Sequence, residues 1–437
     1  MFRNHDLTRG SILKSLLLFA IPYLIANILQ SLYGAVDLYV VGAYCSAKSV
    51  AAVSTGTQVT QIITSLITGL TLGSTILIGQ YSGSRDYKRV KEAIGTTLTV
   101  FAGVALILTV LMLLLKRPLL ALLDTPAESF ELTAKYVAIC CAGTIFICGY
   151  NAISAILRGC GDSVRPMLFV GVACIVNIVL DIVFVKYCNM GVGGTAAATV
   201  LSQAVSMTAA VVYLKRSRFI FDFKPASFRP VLCAAKNLAR IGIPISFQEL
   251  MVRISFLYLM AVMNRCGVYA AAVAGISGKY DVFAMLCATS MASALTAFTA
   301  HNTGAGKPLR ARRALWYAVS LALFVSALFF IWAQIGPQSM IRVFSHDENI
   351  IAAGVPFFRS CSYDYLMVAL VFCLNGYLNG RQKTVWTMVS CSAGALFLRI
   401  PLVWYFGQHY ADNLRMLGMI APAVSGIMAC YTLAYVL

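Results

Sequence analysis

The sequence predicts an all-α integral membrane protein with twelve transmembrane helices, built as two pseudo-symmetric six-helix halves. Three observations predict it. Hydrophobic residues make up 60% of the 437 and charged residues 11%, with a mean hydropathy of +0.81, whereas a soluble domain carries about 25% charged residues. Apolar runs long enough to cross a bilayer, about 20 residues, recur along nearly the whole chain. Short motifs also return at an almost constant spacing of 220 to 222 residues. Together these exclude a soluble or disordered chain, and with it most enzyme classes.

In chain order the apolar runs are 12–40, 50–79, 93–115, 132–157, 166–185, 192–214, 241–263, 270–300, 314–335, 350–376, 386–406 and 416–437. Helices are the expected structure, because lipid offers the backbone no hydrogen-bond partner and no short alternating segments suggest a barrel. The first run follows the basic stretch MFRNHDLTRGSILK, as in a signal peptide. No small-x-small cleavage site follows and the apolar pattern continues through Tyr33, so the reading is a retained first helix.

The net charge of +18 raises the question of nucleic acid, but its distribution points elsewhere. Lys and Arg gather in the connectors on the N-terminal side of the membrane, 22 against 7 on the other side, with the remaining 5 inside runs. That asymmetry places both termini in the cytoplasm and the chain in the cell membrane, with no nucleic-acid partner. Most of the 14 Cys, such as Cys140, Cys141, Cys148, Cys174, Cys287, Cys373 and Cys391, lie within apolar runs and none forms a CxxC. They read as small hydrophobes, with no metal site and no redox cofactor. His5, His301, His346 and His409 lack metal-ligand spacing.

The internal repeat organises the rest. Ile21-Pro22 returns as Ile243-Pro244 and Ala51-Ala52-Val53 as Ala271-Ala272-Val273. Gly83, Arg89 and Ala93 return as Gly304, Arg310 and Ala314, and Leu157, Gly159, Val164 and Met167 as Leu378, Gly380, Val385 and Met388. An even number of helices per repeat keeps both halves in one orientation. The expected organisation is a first lobe over 1–214, a basic linker over 215–240 containing Pro225 and Pro230, and a second lobe over 241–437. Two such bundles can rock against each other, which is the alternating-access design of a secondary transporter. Gly304-Ala305-Gly306-Lys307-Pro308 lacks the spacing and the Ser/Thr of a phosphate loop, so an ion gradient is the expected energy source.

Several loops carry a family resemblance. Leu157-Arg158-Gly159-Cys160-Gly161-Asp162-Ser163 with Pro166-Met167 resembles the LRGxGD[ST]…PM signature of the multidrug and toxic compound extrusion (MATE) transporters. Asn177…Asp181 resembles their NxxLD, Gly191 to Thr199 their G-x-x-GAAxAT, Gly304 to Lys307 their GAGK, and Arg399 to Leu402 their RIPL. The resemblance spans essentially the whole chain. It implies the V-shaped MATE fold and a monomeric antiporter that exports small amphipathic organic cations, xenobiotics among them, against protons or sodium. In the proton-coupled, DinF-like branch the ion site of the first lobe matches Asp37 and Asp181, with Asn177, Thr199 and Asn151 as further members. The sodium-coupled NorM branch uses acids whose positions fall near Val252 and Val368 here, with Glu249 and Asp364 displaced by about a turn, so the chain stands nearer the first branch.

The residues themselves support that emphasis. An ionised carboxylate at mid-membrane costs about 2.5–3.5 kcal/mol or more, so buried acids there are usually functional. Asn177 and Asp181 are four apart and share a helix face. Asp37 follows a polar face of Asn27, Gln30 and Tyr33, and its plainer reading is a carboxylate that ends the first helix at the membrane surface. Glu249 and Arg253, four apart, are expected to pair; Lys279 and Asp281 can face the substrate cavity or pair elsewhere; Arg359, Asp364 and Arg399 are expected to pair between helices, with Arg399 structural. Glu249, Asp281 and Asp364, with Tyr33, Tyr150 and Tyr280, form the candidate substrate-cavity set, aromatic faces being suited to cations. Pro22 and Pro244 predict a matching bend in the first helix of each half. Two other functions fit less well. A lipid or lipid-linked oligosaccharide flippase of the same superfamily usually has additional helices and a cationic cavity. A non-transporting receptor or scaffold has no use for repeated bundles with buried carboxylates.

Overall fold

The computed structural model describes residues 6–122, 125–217, 219–410 and 413–437; Arg3, His5 and Arg218 of the charge reading lie outside them. The elements in the first half are α1 (Ile12–Tyr44), α2 (Ala47–Gly83), α3 (Tyr87–Leu122), α4 (Ala127–Ala142), α5 (Thr144–Gly159), α6 (Val164–Asp181), a π-helical segment (Ile182–Tyr187) and α7 (Gly191–Arg216). After a short 3₁₀ turn (Pro225–Phe228) come α8 (Leu232–Arg265), α9 (Val268–Gly304), α10 (Pro308–Ile335), α11 (Pro337–Arg342), α12 (Glu348–Cys361) and α13 (Tyr363–Gly380). The last elements are α14 (Thr384–Ala393), a second π-helical segment (Gly394–Arg399), α15 (Ile400–His409) and α16 (Leu414–Val436). No strand occurs among the described residues. Among the described residues, eleven helices are long and apolar enough to cross a membrane, or twelve if the pair α4 and α5, bent by 45°, is one span.

That bend falls inside the run 132–157, read above as one continuous helix. Its cause is local. A Cβ on Gly143 would collide with the side chain of Val200, so the glycine lets α7 approach closely at the break between the two helices.

The repeat is visible in individual bonds. Thr75 on α2 donates to the Ala155 carbonyl on α5 at 3.3 Å, and Thr296 on α9 donates to the Gly376 carbonyl on α13 at 3.0 Å. Both donors and both acceptors stand 221 apart. The helix ends repeat as well: Arg85 and Gly306, and Gly161 and Gln382, occupy left-handed backbone conformations. Each end closes with a bond from the next residue back five positions, such as Asp86 to Tyr81 and Lys307 to Asn302, which satisfies helix carbonyls that have no partner within the helix.

The chain forms two compact units. One holds Asp6 and Ile25–Ser246, the other Leu7–Leu24 and Phe247–Leu437. The helices α1 and α8 therefore each contribute to both units, and both change unit two residues after a proline, Pro22 and Pro244. The sequence reading assigned α1 wholly to the first lobe and α8 to the second.

Within the second unit, Leu7, Leu16, Phe19, Ala20 and Tyr23 are buried in a cluster with Leu295, Phe298 and Tyr377. The N-terminal turn there is held by polar bonds too. Asn302 and Arg310 donate to the Leu7 carbonyl, Lys307 to that of Thr8, and Arg310 also to those of Arg9 and Gly10. Within the first unit, α8 packs on α2 where neither has bulk: a Cβ on Gly73 would stand 2.8 Å from the Gly242 Cα, and Ser246 donates to the Leu66 carbonyl at 2.7 Å. The connector before α8 is also docked in this unit. Thr99 donates to the Phe228 carbonyl at 2.6 Å, and the Val231 N–H donates to Thr96 at 3.1 Å. Phe221, Phe223 and Phe228 pack edge to face or tilted. In the same loop a hydrogen bond from Ser227 at 2.6 Å holds the exposed Asp222 carboxyl below the usual range.

Candidate functional site

The first unit buries two carboxylates within electrostatic reach of each other. Asp37 lies on α1, which continues past it to Tyr44, so it does not end the helix as its plainer reading supposed. Asp181 is the last residue of α6, immediately before the π-helical segment. Asp37 is 5% exposed and Asn177 and Asp181 are fully buried. The side chains of Asp37 and Asp181 interact with each other, and Asn177 with both. The helical spacing of 177 and 181 explains why: one face of α6 carries both toward α1.

α7 supplies the remaining side. Thr199 donates to Asp37 Oδ2 at 3.3 Å. Ser202, one turn on, donates to the Thr199 carbonyl at 2.8 Å. Tyr33 reaches across from α1, its hydroxyl 3.4 Å from the Thr199 carbonyl and 3.5 Å from the Ser202 hydroxyl. The structure thus brings Asp37, Asn177, Asp181 and Thr199 together and adds Tyr33, which the sequence had placed with the substrate aromatics. Ser202 was missed, although Thr199, Ser202 and Ser206 share a face of α7 at helical spacing. Tyr136 and Cys140 on α4 also act on Asp37 and had no sequence signal.

Asn151 is not drawn in: its amide donates to the Ile147 carbonyl on its own helix at 2.8 Å. Among the described residues, no Lys or Arg is among the groups acting on either carboxylate. Asp37 Oδ1, both oxygens of Asp181 and both amide atoms of Asn177 are buried with no hydrogen bond. Buried polar atoms are ordinarily satisfied, and a proton or a small cation is what two adjacent carboxylates and an amide can hold.

The second unit has no counterpart at the repeat positions. At the offsets of the flanking matches, 222 around the first helix and 221 around the fifth, Asp37 falls on Leu259, Asn177 on Leu398 and Asp181 on Leu402. All three leucines pack against that unit's hydrophobic core. The second unit carries charge elsewhere. Glu249 and Arg253 interact, as their spacing predicted. Asp281 lies with Ser277 and Tyr365 and within electrostatic reach of Asp364. Asp364 faces Arg399 and Ser425. Arg399 donates to Ser255 at 3.1 Å and lies 4.3 Å from the Phe256 ring centroid, the structural role expected of it. Lys279 stacks over Phe344 at 4.4 Å.

Two of the candidate aromatics are committed to packing. Tyr150 is buried and donates to the Pro166 carbonyl at 3.1 Å. Tyr280 is buried, donates to the Met340 carbonyl at 2.9 Å, and is met edge to face by Trp332, Phe344 and Phe358.

Comparison with known proteins bears on family and fold. The MatE family profile matches twice, over residues 22–183 and 244–405, an offset of 222 that repeats the internal motif spacing. The probable multidrug resistance protein YpnP of Bacillus subtilis is 25% identical over 404 residues, 92% of this chain and 90% of its own. An FAD transporter of Shewanella oneidensis is 24% identical over 447 residues, 99% of this chain and 96% of its own. A solved multidrug resistance MATE family transporter of the MOP superfamily, in an outward-facing conformation, superposes with a TM-score of 0.92 at 22% identity. It covers 100% of this chain and 97% of that one, and the likeness establishes the fold.

Proposed function

Because the chain belongs to the MatE family of membrane transporters, we propose that it is a secondary multidrug exporter of the cell membrane. It exchanges amphipathic organic cations for protons or sodium by alternating access between two six-helix lobes joined by the 215–240 linker. It works as a monomer with both termini in the cytoplasm, and stands nearer the proton-coupled, DinF-like branch than the NorM branch. One observation carries the coupling part of this reading: Asp37 and Asp181 lie within electrostatic reach of each other inside the first unit, and among the described residues no Lys or Arg acts on them. Two adjacent acids compete for charge. Such a pair holds an ion in one access state and releases it in the other. The multidrug part rests on relatives such as YpnP.

A second substrate reading has its own support. The relative from Shewanella oneidensis matches almost end to end and is an FAD transporter, which makes an anionic flavin nucleotide a candidate cargo. One assay tests both. Purified protein in proteoliposomes is given an imposed pH gradient, then a sodium gradient alone, with ethidium or FAD inside. Ethidium efflux driven by either gradient, and abolished in Asp181→Asn, supports the first reading. Efflux of FAD alone favours the second, and gradient-driven efflux at wild-type rates in Asp181→Asn removes the carboxylate pair from the mechanism.

A further inference from the structure

We infer that Gly194 is a positioning residue for the carboxylate pair, acting through the π-helical segment that follows Asp181. The inference rests on the reading of Asp37 and Asp181 as the coupling site. α6 ends at Asp181 and the chain continues as a π-helix through Tyr187. It then reverses within three residues, with Asn189 and Gly191 in left-handed conformations. The Cys188 N–H bonds to the Val183 carbonyl and the Met190 N–H to that of Phe184, both at 2.9 Å. The π-helical segment and the start of α7 therefore form one closed hairpin.

Gly194 is the point where α7 rests on that segment. A Cβ there would stand 3.0 Å from the Phe184 Cβ and 3.3 Å from its carbonyl carbon. The Met190 Cβ is equally near at 3.0 Å, so a side chain at 194 requires Phe184 and Met190 to give by a few tenths of an ångström. Phe184 is three residues from Asp181 on one arm of the hairpin; Thr199, which bonds Asp37, is five residues from Gly194 on the other. The seating of Gly194 on Phe184 thus sets how Asp181 stands opposite Asp37 and Thr199. π-Helical turns inside α-helices often mark functional sites, and here the turn abuts the buried acid directly. Gly193, next in sequence, faces another way, toward the flexible Lys135 side chain, so it serves as a control.

The groups that act on the pair from neighbouring elements are Tyr33 on α1, Tyr136 and Cys140 on α4, and Cys174 on α6. None is cationic, so the spacing of the two carboxyls sets much of how the site takes up a proton. The experiment is the pH profile of efflux in proteoliposomes for wild type, Gly194→Ala, Gly194→Val, Gly193→Ala and Asp181→Asn. Each protein is first checked for a monodisperse elution. The expected result is a midpoint displaced by about half a pH unit or more in Gly194→Ala, roughly threefold in the protonation equilibrium, and further in Gly194→Val if it folds. Gly193→Ala keeps the wild-type midpoint. A wild-type midpoint in Gly194→Ala, with only the yield or the maximal rate reduced, overturns the positioning role while leaving the coupling site intact. A wild-type profile in Asp181→Asn overturns the coupling site, and this inference with it.

Discussion

The Thr199 hydroxyl on α7 donates to the Asp37 carboxylate on α1 at 3.3 Å. Its own backbone carbonyl is held by Ser202 and approached by Tyr33. The donor is therefore fixed in place, and its strength depends on whether Asp37 is charged.

Thr199→Val keeps the shape and removes the donor. The bond favours the ionised carboxylate, and a net contribution of about 1 kcal/mol corresponds to roughly a fivefold change in ion affinity. The expected outcome is a shift of that order in the ion concentration giving half-maximal efflux, restored by Thr199→Ser. An unchanged activation curve in Thr199→Val means the hydroxyl has no part in coupling.

Packing between α2 and α8 gives a stability prediction. Ser246 lies against Gly69 so closely that a Cβ on Gly69 would meet the Ser246 backbone. Backbone cannot rotate away as a side-chain tip can, so Gly69→Val forces the helices apart. Overpacking of this kind costs about 1–3 kcal/mol, read as a lower melting temperature in detergent. Gly103, where nothing lies within 4 Å of an added Cβ, is the control, and Gly103→Ala is expected to melt like wild type.

Much of the fold was legible because bilayer crossing leaves a long one-dimensional signal, and because Gly83, Arg89, Leu157 and Gly159 have counterparts at a fixed offset. The α4–α5 bend was not legible, since it depends on Val200 meeting Gly143 from another helix. The same holds for the site. Asn177 and Asp181 announce a shared face through their spacing, but Tyr33, Ser202 and Tyr136 join it only through tertiary packing. The change of unit after Pro22 and Pro244 shows the limit most clearly. The paired prolines were readable as a repeat, whereas which unit each helix section packs in is set by buried residues such as Phe19 and Tyr23.

Native cysteines provide a test of orientation. Cys188 and Cys233 are both exposed, Cys188 between the π-helical segment and α7, Cys233 at the start of α8. The basic asymmetry puts Cys233 on the cytoplasmic side and Cys188 on the opposite one. In a background with Cys45, Cys266 and Cys430 changed to Ala, since these are also exposed or partly exposed, an impermeant maleimide added to intact cells is expected to label the protein and its Cys233→Ala variant but not its Cys188→Ala variant. Labelling that disappears with Cys233→Ala instead means the orientation is reversed.

Arg310 makes the last prediction, because its guanidinium fork meets three backbone carbonyls. Its guanidinium donates to the carbonyls of Leu7, Arg9 and Gly10 at 3.4, 2.9 and 2.8 Å. Lys307 and Asn302 add bonds to Thr8 and Leu7 at 2.9 and 3.2 Å. A planar guanidinium can satisfy several carbonyls at once, which a single ammonium on a flexible stem does not reproduce. Arg310→Ala therefore leaves Arg9 and Gly10 without these donors, and Arg310→Lys restores the charge but not the fork. Hydrogen bonds from a charged group contribute about 1.5–3 kcal/mol when shielded and less where water competes. The expected outcome in both variants is faster trypsin cleavage after Arg9, with Leu7 and Leu16 still buried and the melting temperature lowered by only a few degrees. If Arg310→Lys cleaves as slowly as wild type, charge alone holds the turn and the fork geometry is incidental.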